Sequence, residues 1–181
     1  EMGAGALWAS QVWQADIESL YRAETSQSGS TTRSAAVEIL NDTDYDSFAG
    51  HIKAPNGDLL VAYRKGTGHT TATSSQGIYL SRSTDGGSTW GAQTKIISND
   101  ASTQFMTAGM SVIGSDCYLA TWTRALSGGA SDPATAVRVY KSTDNGATWS
   151  LVSTLNLATP FPNGAYTESH LVSHGGYYYL G

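Results

Sequence analysis

The chain has 181 residues, 10 Lys and Arg against 15 Asp and Glu, and a formal net charge of -5. Charged residues are 14% of the total, against about 25% in an average globular protein. The 23 Ser, 21 Thr and 20 Gly give the profile of many short strands joined by turns, not of a helical bundle. No apolar run approaches the roughly 18 residues of a membrane helix, so no membrane partner is expected. No charged leader with an apolar core opens the sequence, and no signal peptide is expected. The acidic balance provides no basic cluster to displace counterions, which argues against nucleic acid. One Cys, Cys117, allows no internal disulfide, and with four scattered His it gives no zinc spacing. No metal and no cofactor are expected, because nucleotide-binding loops and a nucleophile elbow are both missing from the sequence.

In chain order, residues 1–33 differ from the rest. Ala9–Ala23 sets Val12, Trp13, Ile17, Leu20 and Tyr21 near helical spacing, which predicts a short helix or packing arm. Thr25–Thr32 is small and polar, a linker by composition. From residue 34 the pattern turns to strands. Ser34–Leu40 reads as a first strand. Ala49–Ala54 and Asp58–Lys65 flank Pro55-Asn56-Gly57 and predict a hairpin. Gly77–Ser83 and Thr94–Ser98 follow. A second round has Thr107–Ile113 and Cys117–Arg124 around Gly114-Ser115-Asp116, then Thr135–Ser142 and Leu151–Leu155. A third round begins with Thr167–Ser173 and Tyr177–Leu180 around Gly175-Gly176.

An internal repeat marks the rounds. Ser83-Thr84-Asp85-Gly86-Gly87-Ser88-Thr89-Trp90 matches Ser142-Thr143-Asp144-Asn145-Gly146-Ala147-Thr148-Trp149 at six of eight positions. Each copy stands between two predicted strands. The carboxylate can accept from turn amides, the glycines permit positive φ, and the Trp can bury its face over the hairpin.

This motif resembles the Asp-box (BNR repeat) of the sialidase, or neuraminidase, superfamily. The resemblance covers about residues 40–181. It implies an all-β, sialidase-like β-propeller, six-bladed in that family. Blades would span about 34–98 and 105–157, with the start of a third at 165–181. Asp85, Trp90, Asp144 and Trp149 would be structural, with both tryptophans in the core. A closed propeller needs about four to eight blades. The reading therefore expects this chain to be completed by further blades or by homo-oligomerisation.

The resemblance also points to glycoside hydrolysis and a carbohydrate partner. Sialidases bind the substrate carboxylate with arginines and use a Tyr paired with a Glu as nucleophile. Where the family has its first Arg, this chain reads Asp46 to Ile52, with no Arg. Phage endosialidases also lack that Arg and are the nearer comparison. They keep a His in the loop after the second strand, as His69 stands here. They also keep a Thr-Glu-x-His element with a catalytic Glu, similar to Thr167-Glu168-Ser169-His170. The expected catalytic residues are Glu168, His69 and Asp46. Arg64, Arg124, Tyr45 and His170 are expected to bind substrate. Each has a plainer alternative: a solvated carboxylate, an exposed loop His, a surface cation or a packed Tyr. The alternative functions are a non-catalytic glycan- or protein-binding propeller and a self-assembling fragment. The family's location is extracellular or on the virion surface.

Overall fold

The computed structural model describes residues 37–40, 43–68, 71–106, 109–126, 134–157, 171–174 and 177–180. These residues form eleven β-strands and no helix. The first sheet is a four-stranded antiparallel meander of β1 (Tyr45–Lys53), β2 (Leu59–Gly66), β3 (Gly77–Ser83) and β4 (Thr94–Ser98). The predicted Pro55-Asn56-Gly57 turn joins β1 to β2. Gly57 takes φ 96° there, and its amide donates to the Ala54 carbonyl at 2.8 Å.

The second sheet repeats the plan. β5 (Thr103–Phe105) and β6 (Gly109–Ile113) both pair with β7 (Asp116–Ala125), followed by β8 (Ala136–Ser142) and β9 (Ser150–Asn156). A further antiparallel hairpin, β10 (Leu171–His174) with β11 (Tyr177–Leu180), lies with β10 against β6 and β7.

The two large sheets pack face to face. β1 lies against β6 and β3 against β5. Ala62, Ile78 and Ile97 from the first sheet meet Phe105, Leu119 and Tyr140 from the second, and Trp149 packs against this cluster. The Phe105 and Tyr140 rings meet edge to face at 6.3 Å. Leu60, Leu80 and Cys117 continue the core, with Cys117 buried as expected and its thiol pKa raised by that burial. Nearly every residue of β2 and β7 is buried, so these middle strands are covered on both faces. β9 is the contrast: all seven of its residues are exposed, with Leu155 60% accessible.

The sequence expectations need two adjustments. Val37–Leu40 is not a strand, and residues 34–36 lie outside the described residues. Instead the predicted hairpin strand extends back to Tyr45 as the nine-residue β1, which is the outer strand of its sheet. β5 was not anticipated, because three residues are too few to show an alternating pattern. The predicted Ala9–Ala23 helix lies outside the described residues.

Candidate functional site

Strand direction fixes two ends of the sheets. One end carries the two Ser-Thr-Asp turns. In the first, the Ser83 hydroxyl donates to Asp85 Oδ1 at 2.8 Å and accepts from the Gly87 amide at 2.8 Å. The Thr89 amide and hydroxyl donate to the two oxygens of Asp85 at 2.9 and 2.6 Å. The second turn repeats the set with Ser142, Asp144, Gly146 and Thr148. The Thr89 hydroxyl, the Thr89 amide and the Ser83 hydroxyl hold the Asp85 carboxyl down at about 2. The matching donors hold Asp144 far below the usual carboxylate range. Both carboxylates are spent on closing their own turns.

The tryptophans of the two turns differ. Trp149 packs on the core and donates from Nε1 to the Gly146 carbonyl at 3.2 Å. Trp90, expected in the core, instead lines a groove of about 550 Å³ with Arg82, Thr94 and Asp144. Trp90 Nε1 is buried without an acceptor among the described residues. The polar groups of this groove are committed elsewhere, since Arg82 pairs with Asp58 and donates to the Asn145 carbonyl. The groove lies at the end away from the arginines discussed next.

At the opposite end β1 begins, β2 and β7 finish, and β3 and β8 start. Here the structure brings together Tyr45, Arg64 and Arg124 from both sheets. In the β1–β2 ladder Tyr45 stands opposite Gly66, Asp46 opposite Lys65 and Ser47 opposite Arg64. Tyr45 is 43% exposed, whereas Arg64 and Arg124 are 0% and 2% exposed. Neither arginine is a surface cation. Arg64 donates from Nη1 to the Gly68 carbonyl at 3.0 Å and from Nη2 to the Thr71 carbonyl at 2.8 Å. Nη2 also reaches Gln104 Oε1 at 3.0 Å. Burial, then the nearby charge of Arg124, lowers the Arg64 pKa to about 10, and Tyr45 works in the opposite sense.

Lys65 is also buried, at 2% exposure. Its ammonium lies 3.1 Å from Asp44 and 3.8 Å from Asp46, and 5.3 Å from the centre of the Tyr79 ring. Asp46 thus pairs with Lys65 on the face of the first sheet opposite to that of Arg64, and the structure does not bring it to the arginine pair. Glu168, His69 and His170 lie outside the described residues.

Sequence reasoning missed two residues here. Lys65 ends an apolar predicted strand, and its pairing with Asp44 and Asp46 and its place over the Tyr79 ring accompany its burial. Gln104 carries no motif at all. Among the described residues no group of His, Cys, Asp and Glu could hold a metal ion.

No protein-family model matches this chain, and no curated protein matches it. Among solved structures, the chain is similar to the intramolecular trans-sialidase from Ruminococcus gnavus in complex with oseltamivir carboxylate. The identity is 13% and the TM-score 0.39, covering 80% of this chain and 42% of that one. The chain thus spans less than half the length of that structure.

Proposed function

We propose that the chain belongs to a sialidase-like β-propeller that engages an acidic sugar at the end of its sheets where Arg64 and Arg124 meet. One observation carries this reading. Two arginines sixty positions apart, on different sheets, are both buried and meet at Gln104, which accepts from Arg64 and stands across the ladder from Arg124. Gathering like charges in a low-dielectric site is costly, and a carboxylate ligand relieves that cost. Tyr45 supplies an exposed aromatic face beside them. The paired Ser-Thr-Asp turns at the far end are, in this reading, Asp-boxes that lock the blades. The missing blades would come from further chain or from other copies, and the protein would work outside the cell or on a virion surface.

The hydrolytic form of the reading assigns Glu168 as the base. It takes the proton of the attacking tyrosine or water as the glycosidic C–O bond breaks. His69 delivers a proton to the leaving oxygen, so the charge balances. A general base of this kind contributes about 10²- to 10⁴-fold in rate. Glu168→Gln is therefore expected to lower release of sialic acid from an α2,8-linked oligosaccharide at least a hundredfold while leaving binding intact. Arg124→Ala is expected to weaken binding of N-acetylneuraminic acid at least tenfold in calorimetry. Wild-type binding should weaken as salt rises. Equal binding of neutral and acidic sugars would sink the acidic-ligand reading.

A specific observation favours a second, non-catalytic reading. The Arg64 guanidinium is already engaged by two backbone carbonyls and Gln104, so it acts as a brace for the loop after β2. Binding by wild type with no sugar release under any condition would support that reading over hydrolysis.

A further inference from the structure

Gln104 lies on β5, fully buried, directly across the ladder from Arg124. Its Oε1 accepts from Arg64 Nη2 at 3.0 Å. Its Nε2 donates to the Ala125 carbonyl at 3.0 Å and the Leu126 carbonyl at 3.3 Å. The amide can face only one way: a guanidinium offers only donors, and backbone carbonyls only accept. Arg64 in turn holds the Gly68 and Thr71 carbonyls. A single chain of hydrogen bonds therefore runs from the loop after β2, across both sheets, to the end of β7.

We propose that Gln104 is a positioning residue that sets Arg64 against Arg124 as one anion-receiving pair. The ligand half of this inference rests on the acidic-sugar reading above. Only an amide satisfies the geometry. A hydrocarbon of the same size removes one of the two acceptors of Arg64 Nη2 and the side-chain donor to two carbonyls. A carboxylate still accepts from Arg64, but it cannot donate to Ala125 and Leu126. It also places a permanent negative charge between the arginines, in competition with the ligand's own.

Two variants of the full chain separate these effects, Gln104→Glu and Gln104→Met. Amide hydrogen exchange without ligand reads the brace. The Thr67 and Gly68 amides, both bonded to the Thr71 carbonyl, report one end, and the Leu126 amide, bonded to the Ser102 carbonyl, reports the other. Gln104→Glu is expected to keep protection at Thr67 and Gly68 and lose it at Leu126. Gln104→Met is expected to lose both. The Thr89 amide in the distant turn should be unchanged in each. Calorimetry with N-acetylneuraminic acid reads the arginine pair: Gln104→Glu should bind at least tenfold more weakly despite its protected loop. A merely structural role predicts instead that affinity follows protection. Identical exchange in the two variants, or wild-type affinity in Gln104→Glu, would overturn the proposal. If wild type itself ignores the sugar, the acidic-ligand reading fails, and with it the ligand half of this inference. The exchange pattern still decides whether Gln104 braces both ends.

Discussion

Asp85 and Asp144 show how much one residue can organise. Each accepts three hydrogen bonds within its own turn, from a Ser hydroxyl, a Thr hydroxyl and a Thr amide. Their carboxyls are held below the ordinary range of an unfolded chain. Their contribution to stability is therefore fully present above about pH 4–5. It drains as pH falls toward about 2 for Asp85 and still lower for Asp144. In acid titrations followed by circular dichroism, Asp85→Asn and Asp144→Asn should be less stable than wild type at pH 7. They should also show a shallower loss between pH 4 and pH 2. An unchanged acid slope would mean that the turns do not depend on ionised carboxylates. These turns were fully legible in the sequence, because every partner lies within four residues of its Asp. Gln104 was illegible for the opposite reason: its partner Arg64 is 40 positions away.

At the scale of elements, turn glycines divide into those that need only a backbone angle and those that also need space. Gly57 has φ 96° with nothing near its absent Cβ. Gly146 has φ 84°, and a Cβ there would fall 2.5 Å from Leu60 Cδ1, because the second turn wedges against the first sheet. Gly57→Ala should cost about 1 kcal/mol, from the left-handed conformation alone. Gly146→Ala should cost about 2–4 kcal/mol once overpacking adds to that strain. Urea denaturation of the two variants gives the comparison directly, and equal losses would refute the wedge. β4 and β9 make a second contrast between outer strands. Ile97 on β4 is 7% exposed because the second sheet covers it, whereas Leu155, at the matching place on β9, is 60% exposed. Strand positions were readable from alternation and turn residues. Which outer strand would be covered was not, because cover comes from a neighbouring sheet.

Across the whole molecule, the two sheets share one core and are joined at both ends by polar contacts. The Arg82 guanidinium reaches the Asn145 carbonyl at one end, and Arg64 reaches Gln104 at the other. Leu119 sits in the middle of the shared cluster at 0% exposure. Leu119→Ala should cost about 2–5 kcal/mol. It should lower the unfolding midpoint of both sheets together, as read by site-specific exchange at Ala62 and Val139. Loss confined to the second sheet would show two independent units. All-β architecture and the two-round plan were evident from composition and the repeat. The pairing of the arginines was not, since no local pattern encodes the angle at which one sheet lies on another.

The meander order has a consequence for synthesis. Apart from β5, which pairs with β7 past β6, each large sheet pairs strands that follow one another in the chain, so these ladders close over short loops and form early. The first sheet can pair as soon as Ser98 has been made. Its Ile78 and Ile97 then lack their full cover until Leu119 arrives about twenty residues later and Tyr140 about forty. At about 5–20 residues per second, that interval lasts a few seconds on the ribosome. During it the nascent chain presents a finished sheet with a bare apolar face. Holdase demand and co-translational aggregation should peak there, before the second sheet is complete.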